Sequence, residues 1–223
     1  MPVLIVALGD STTAGTPGYR SPVEARPDGE GDVKSQYAYW LVEQNPHWRV
    51  LNRGVDGERT DQIAARFDDD VLSQRPQVVV IIAGVNDVYQ GRPVEFATGN
   101  LRKLYDRSAE AGISVVAGSI APFNTATADQ NKRMRAINEW MAAEAERDGN
   151  ITFVDTRAAV AAPDDPDRLA ASPDDLHPDV DGYRRMAAAI GPAVAKVLAG
   201  RPDQKAQGPG RPPAAIATGS RTP

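Results

Sequence analysis

Val78-Val79-Val80-Ile81-Ile82-Ala83 is apolar throughout and β-branched in its first five residues. A run of this length and composition fits a strand buried on both faces, as at the centre of a parallel sheet. Working outward, Val3-Leu4-Ile5-Val6-Ala7-Leu8 is a second such run. Shorter ones follow at Arg49-Val50-Leu51-Asn52, Ile113-Ser114-Val115-Val116-Ala117 and Ile151-Thr152-Phe153-Val154. The intervening segments carry helical spacing instead. Tyr37, Trp40 and Leu41 repeat within Ser35 to Glu43, and Phe96, Leu101, Leu104 and Tyr105 within Glu95 to Glu110. Met134, Ile137, Asn138 and Met141 repeat within Ala128 to Arg147, and Asp179 to Leu198 supplies a last helix. Thr60 or Asp61 can cap a further helix running through Ile63, Ala64, Phe67 and Val71. Strands alternating with helices require right-handed crossovers, hence a parallel sheet covered on both faces. The predicted fold is α/β: a three-layer α/β/α sandwich around a flavodoxin-like five-stranded sheet of order 2-1-3-4-5. In such a sheet the ligand site lies beyond the carboxyl ends of the strands, beside strand one.

The chain has 223 residues, enough for one domain, here residues 1–199. Residues 200–223 form a Pro-, Gly- and Ala-rich tail that cannot bury enough surface to offset its ordering entropy, so disorder is expected there. Apolar residues make up 41% and charged residues 25%, as in ordinary globular proteins. A net charge of −5, with no basic stripe, argues against a nucleic-acid partner. The absence of cysteine removes disulfides, thiolate metal sites and cysteine nucleophiles. No segment approaches the ~20 apolar residues of a membrane span. The first apolar run is too short for a signal sequence and has no basic residues before it, so a cytoplasmic location is expected. Residues 16–32 are rich in Gly, Pro and charge and read as a long surface loop. Asp68-Asp69-Asp70 reads as the solvated end of a helix, and Asp28-Gly29-Glu30-Gly31-Asp32 lacks the spacing of a calcium loop. No metal or cofactor is expected, and the oligomeric state is not legible.

Chemistry concentrates just after the first strand and near the end of the domain. Gly9-Asp10-Ser11-Thr12 leaves strand one through a turn. A serine is a weak nucleophile unless a base lies within hydrogen-bond reach. Two histidines are available. His47, in Asn45-Pro46-His47-Trp48, falls at the amino end of strand two, the wrong end for a site in this fold. His177 follows Asp174 by three residues in Asp174-Asp175-Leu176-His177-Pro178. A carboxylate at that spacing can accept the imidazole Nδ1–H, leaving Nε2 to take a serine proton. Asp175 is the competing carboxylate, but its shorter spacing favours the other side of the turn. Donors for an oxyanion come from the Ser11 N–H, from Gly57 after strand two, and from the side chain of Asn86 in Gly84-Val85-Asn86-Asp87 after strand three.

These blocks, Gly9-Asp10-Ser11, Asn52 with Gly57, Gly84-Val85-Asn86-Asp87, and Asp174 to Pro178, occur in that order over residues 3–199. The set resembles the SGNH (GDSL) hydrolase family. The resemblance implies esterase, thioesterase, lysophospholipase or carbohydrate-deacetylase activity without a metal cofactor. It implies Ser11 as nucleophile, His177 as base, Asp174 as its orienter, and an oxyanion hole from Ser11, Gly57 and Asn86. Gly182-Tyr183 also fits the start of the family's last helix. Thr12 stands where the family has leucine, which should alter packing behind the nucleophile. Gly54 rivals Gly57 for the oxyanion role, although the spacing from Asn52 favours Gly57. The loop 16–32 is expected to shape the acyl or leaving-group side.

The sequence thus predicts a serine hydrolase that cleaves carboxylic esters of short acyl groups, acetyl included, through an acyl-enzyme on Ser11. Thioesterase and lysophospholipase activities are alternatives within the family. Two readings come from other classes. Ser11-Thr12-Thr13-Ala14-Gly15-Thr16 could be the phosphate loop of an FMN-binding electron carrier, but Asp10 would repel the phosphate. A catalytically silent binding protein would leave the serine, histidine and aspartate without a purpose.

Overall fold

The computed structural model describes residues 2–200; the tail from residue 201 onward lies outside the described residues. Five parallel strands form the central sheet: β1 (Val3–Gly9), β2 (Trp48–Gly54), β3 (Val78–Ile82), β4 (Ser114–Gly118) and β5 (Ile151–Val154). Their order is β2-β1-β3-β4-β5, as the alternation of elements predicts. β1 is an inner strand paired on both sides, with Gly9 opposite Gly54 on one side and Ile82 on the other. The ends of three strands therefore meet around the residue that precedes Asp10.

Side chains on the central strand alternate between two cores, as a period of two demands. Val79 and Ile81 pack with Ile63, Phe67, Leu101, Leu104, Met134, Ile137 and Met141. Val78, Val80 and Ile82 pack with Tyr37, Leu41, Tyr183, Met186, Ile190 and Val194 on the other face. The first core is covered by α3 (Thr60–Ala65), α4 (Phe67–Asp70), α6 (Val94–Glu110) and α7 (Ala128–Arg147); the second by α2 (Tyr37–Gln44) and α9 (Val180–Gly200). Short helices follow strands at their carboxyl ends: α1 (Ser11–Ala14) after β1, α5 (Val85–Tyr89) after β3, and α8 (Thr156–Val160) after β5. The last helix ends at Gly200, one residue past the boundary expected for the domain.

Four local expectations are corrected. The helix expected to run through Val71 is broken at Arg66, whose backbone (φ −101°, ψ 8°) leaves the helical region between α3 and α4. It starts at Thr60 with Arg59 as N-cap, so neither Thr60 nor Asp61 caps it; the Thr60 hydroxyl donates to Asp87 instead (2.7 Å). Asp68-Asp69-Asp70 is not a uniformly solvated end. Asp70 is buried and paired with Arg66, and Asp68 pairs with Arg107. Residues 16–32 contain a two-strand hairpin, Tyr19–Arg20 against Glu30–Gly31, instead of unbroken loop.

Candidate active site

The site is built on the carboxyl edge of the sheet. Asp10 leaves β1 in extended conformation and caps α1, its Oδ1 accepting the Thr12 N–H (3.0 Å). That places Ser11 at the first helical position, with its side chain nearly buried. Asn52, near the end of β2, pins the same helix from behind. Its Nδ2 lies within hydrogen-bond distance of the carbonyls of Thr13 (2.9 Å) and Ala14 (3.1 Å) and of Gln36 Oε1 (2.7 Å). Thr12 lines the cavity beside Ser11, so its effect is not confined to packing behind the nucleophile.

Residues 172–178 fold back over this edge. His177 Nε2 stands 2.8 Å from Ser11 Oγ, across 166 positions of sequence. Its Nδ1 stands 2.7 Å from Asp174 Oδ2. Asp174 Oδ1 accepts the backbone N–H groups of His177 (2.8 Å) and Leu176 (3.0 Å), so one carboxylate both shapes the turn and holds the ring. Burial pushes the Asp174 carboxyl up, but the bonds from the His177 ring and from the two backbone amides outweigh it and hold it below the ordinary value. Asp175 does other work. It sits in the left-handed region (φ 63°), and Asn124 binds it twice, N–H to carbonyl (2.7 Å) and Nδ2 to Oδ1 (3.0 Å). The turn is thereby moored to the segment after β4. His47 lies at the opposite edge, where its carbonyl accepts the Val3 N–H (3.2 Å).

The donor residues also converge, each by its own route. Asn86 is the second residue of α5 and lines the cavity with Ser11 and His177. One of its two amide hydrogens goes to the Glu58 carbonyl (3.0 Å). Gly54 is excluded as a donor because its N–H is bonded to Asn52 Oδ1 (2.9 Å). It is needed as glycine for another reason: a Cβ there would lie 2.0 Å from the Ala14 nitrogen. Gly57 turns with φ +73°, a conformation that favours glycine. Neither the Ser11 nor the Gly57 N–H has an acceptor among the described residues. Gly57 itself does not line the cavity, but its neighbour Asp56 does.

The loop 16–32 contributes no lining residue to this cavity, contrary to expectation. It braces the turn after β2 from outside: Ser21 Oγ donates to the Gly54 carbonyl (2.6 Å) and Glu24 Oε1 accepts the Asp56 N–H (2.9 Å).

Three supporting residues are given no role by the sequence, although Asp10 and Asp87 stand in its motif blocks. Arg66 ties the ends of two strands to the turn. Its Nη2 donates to the Gly9 carbonyl (2.8 Å), Nη1 to the Arg53 carbonyl (2.8 Å), and Nε to Glu58 (2.6 Å). Asp87, fully buried, accepts the Thr60 N–H (3.0 Å) and hydroxyl, which locks α5 and hence Asn86 to α3. Asp10 Oδ2 is buried without a hydrogen-bond partner. Burial drives that carboxyl up to about 7, the Thr12 amide opposes this, and the nearby Asp87 adds to it.

The cavity beside Ser11 and His177 measures about 200 Å³. Its inner wall is Thr12, Ala121, Pro122 and Phe123, all buried, and its mouth carries Asp56, Tyr89 and Leu176. Among the described residues no cluster of three or more His, Asp or Glu side chains is arranged to hold a metal.

A serine, a histidine and an aspartate bonded in series at the carboxyl edge of a parallel sheet are the arrangement of a serine hydrolase. The chain belongs to the GDSL-like lipase/acylhydrolase family, whose model matches residues 7–185, and it is a carboxylic ester hydrolase. It is 29% identical over 190 residues to an acetylxylan esterase of Geobacillus stearothermophilus, covering 74% of this chain and 85% of that one. It is 30% identical over 112 residues to an arylesterase of Vibrio mimicus, covering 50% and 52%. The fold matches a putative lipolytic G-D-S-L protein of Desulfitobacterium hafniense (TM-score 0.70, 23% identity, 88% of this chain and 99% of that one). It also matches a G-D-S-L family member of Veillonella parvula (TM-score 0.72, 19% identity, 87% and 99%).

Proposed function

We propose that Ser11 is the nucleophile of this ester hydrolase, His177 its base and Asp174 the residue that orients His177. The observation that carries this is the pair of contacts on one imidazole, 2.8 Å to Ser11 Oγ and 2.7 Å to Asp174 Oδ2. With Nδ1–H donated to Asp174, Nε2 is the acceptor. Ser11 Oγ attacks the ester carbonyl carbon as its proton passes to Nε2. The negative oxygen is bound by the N–H groups of Ser11 and Gly57 and by the second Asn86 amide hydrogen. The carbon–oxygen bond to the alcohol breaks, and His177 returns its proton to the departing oxygen. Water, deprotonated by His177, then attacks the acyl-enzyme; the acyl bond to Ser11 Oγ breaks, His177 returns the proton to Oγ, and the acid leaves.

The acyl group is short, from acetyl to about butyryl. A cavity of about 200 Å³ is smaller than the usual ligand pocket of about 300–1,000 Å³, and Ala121, Pro122 and Phe123 close its inner end. The relative named acetylxylan esterase is consistent with a small acyl group. Cytoplasmic residence is part of this reading, and fractionation of native cells tests it; among the described residues no helix is long and apolar enough to cross a membrane. The mechanism is tested by a fluorophosphonate probe with hydrolysis of p-nitrophenyl esters from two to eight acyl carbons. Labelling at Ser11, loss of both signals in Ser11→Ala, and a fall in rate beyond four carbons are expected. Retained hydrolysis by Ser11→Ala overturns the assignment.

A further inference from the structure

Among the large apolar side chains of the described residues, only Val33, Tyr89 and Leu176 are well exposed, at 44%, 56% and 37%. Two of the three stand at the mouth of the catalytic cavity. Exposing an aromatic ring to water forgoes burial that the fold could otherwise use, so an exposed aromatic beside a site is a sign of a binding surface. Tyr89 is held in place by more than its helix. Its ring packs edge-on against Phe123, with centroids 5.7 Å apart and planes at 65°. One face of a fixed ring is a platform on which a second ring can lie.

The charge of the mouth is equally one-sided. No lysine or arginine lines the cavity, whereas Asp56 does, on the turn after β2. The Asp56 backbone N–H is bonded to Glu24, while its carboxylate makes no hydrogen bond or ion pair among the described residues. Arg59, on the same turn, is committed elsewhere: Nε and Nη2 hold the Asp61 carboxylate (3.0 and 3.1 Å) and Nη1 holds Gln90 (2.7 Å). An anionic leaving group, such as a phosphate-bearing thiol or a phospholipid headgroup, would meet a carboxylate with no cation to answer it. An uncharged hydroxylated alcohol would find in the same carboxylate an acceptor.

We infer that the alcohol half of the substrate is an uncharged ring, stacked on Tyr89 and Leu176 at the mouth, with Asp56 accepting its hydroxyl groups and excluding anionic esters. This rests on the assignment of Ser11 as nucleophile and specifies the substrate side of the same site. The inner wall takes the acyl group, and the ring remains at the exposed end, which accommodates a polymer-borne or a free ring alike. A glycosyl ring and an aryl ring share this platform; only the glycosyl ring uses the Asp56 carboxylate.

The test keeps the acetyl group constant and varies the alcohol. kcat/KM is measured for a mono-O-acetyl methyl glycoside, phenyl acetate, ethyl acetate and acetyl-CoA, in wild type, Tyr89→Ala, Asp56→Asn and Asp56→Lys. In wild type both ring acetates should exceed acetyl-CoA by about a hundredfold, and this gap should narrow as salt is raised. Tyr89→Ala should lower the ring esters by about tenfold relative to ethyl acetate. Asp56→Asn should lower the glycoside relative to phenyl acetate, because only the glycoside's hydroxyls exchange a charged acceptor with two oxygens for a neutral amide with one. Asp56→Lys should raise acetyl-CoA relative to phenyl acetate by about tenfold. Acetyl-CoA hydrolysed as well as the ring esters, or Tyr89→Ala lowering ethyl acetate as much as the ring esters, overturns the inference. A glycoside unaffected by Asp56→Asn removes the hydroxyl contact and with it the Asp56 part. Failure of the nucleophile assignment looks different: no acetate would depend on Ser11, whatever the alcohol.

Discussion

Asp174→Asn is the most discriminating single change in this site, because the two oxygens of Asp174 have different duties. Oδ1 accepts the N–H groups of Leu176 and His177, and Oδ2 faces His177 Nδ1. Asparagine has only one oxygen. If its amide nitrogen turned toward the backbone, donors would face donors and two hydrogen bonds would be lost, at about 1 kcal/mol or more each. The oxygen therefore stays with the backbone, and the amide nitrogen faces Nδ1. Nδ1 must then accept, so the ring proton moves to Nε2, which points at Ser11 Oγ 2.8 Å away. A ring in that tautomer cannot take the serine proton. The expected loss is about 10⁴ in kcat, equivalent to about 5.5 kcal/mol of barrier. Because both backbone bonds persist, the melting temperature should move little. Steady-state kinetics on p-nitrophenyl acetate, paired with thermal melts followed by circular dichroism, measures both. Activity within tenfold of wild type would refute the tautomer argument. An equal loss accompanied by a large fall in melting temperature would show that the carboxylate acts on the turn alone.

Four further outcomes are expected. Gly54→Ala should fail to give a stable protein, since its Cβ would lie 2.0 Å from the Ala14 nitrogen, whereas Gly57→Ala meets nothing within 4 Å and should cost about 1–2 kcal/mol for its left-handed backbone; chemical denaturation distinguishes the two. Asn86→Ala should lower kcat by about 10²–10³ with smaller change in KM, and an unchanged kcat would remove Asn86 from the oxyanion hole. Arg66→Lys should lower kcat by about 10–100-fold, because one ammonium cannot hold the Gly9 and Arg53 carbonyls and Glu58 together; full activity would show that these strand ends need no strut. Burial raises the Asp10 carboxyl to about 7, so the native state holds a proton that the unfolded chain has already lost, and stability falls as pH rises from about 4 to 7. Asp10→Asn removes that slope, and relative to wild type it should gain on the order of 2 kcal/mol between pH 5 and pH 8; a stability difference independent of pH would sink this account.

The layers of the fold were legible because they depend on local periodicity. A β-branched apolar run such as Val78–Ile82 admits a buried strand and little else, and the helical repeat from Ala128 to Arg147 coincides with α7. Order followed from the flavodoxin-like pattern that five alternating strands suggest, not from any pairing signal in the strands themselves. Boundaries set by long-range contacts were not legible. The break at Arg66 exists because its guanidinium reaches the ends of β1 and β2, and nothing near residue 66 announces those carbonyls. Thr60 looks like a cap in the sequence and is claimed by Asp87, 27 positions away. The loop 16–32 suggested a wall of the site by its length alone, but its bonds to Gly54 and Asp56 make it a brace for the turn after β2.

The sequence by itself determined which residue types could perform ester hydrolysis and at which end of the sheet they had to lie. With two histidines and no cysteine, the candidates were few, and a carboxylate three residues before His177 can reach Nδ1 within a single turn. Only the tertiary structure decided that Asp174 and not Asp175 faces the ring, because Asn124, from the segment after β4, holds Asp175 in a left-handed turn. Only it excluded Gly54 as a donor, by spending the Gly54 N–H on Asn52. Only it brought Asp56, Tyr89 and Leu176 to one mouth. Local chemistry depends on spacing along the chain. Which groups remain free for a substrate depends on what every other part of the fold has already bonded.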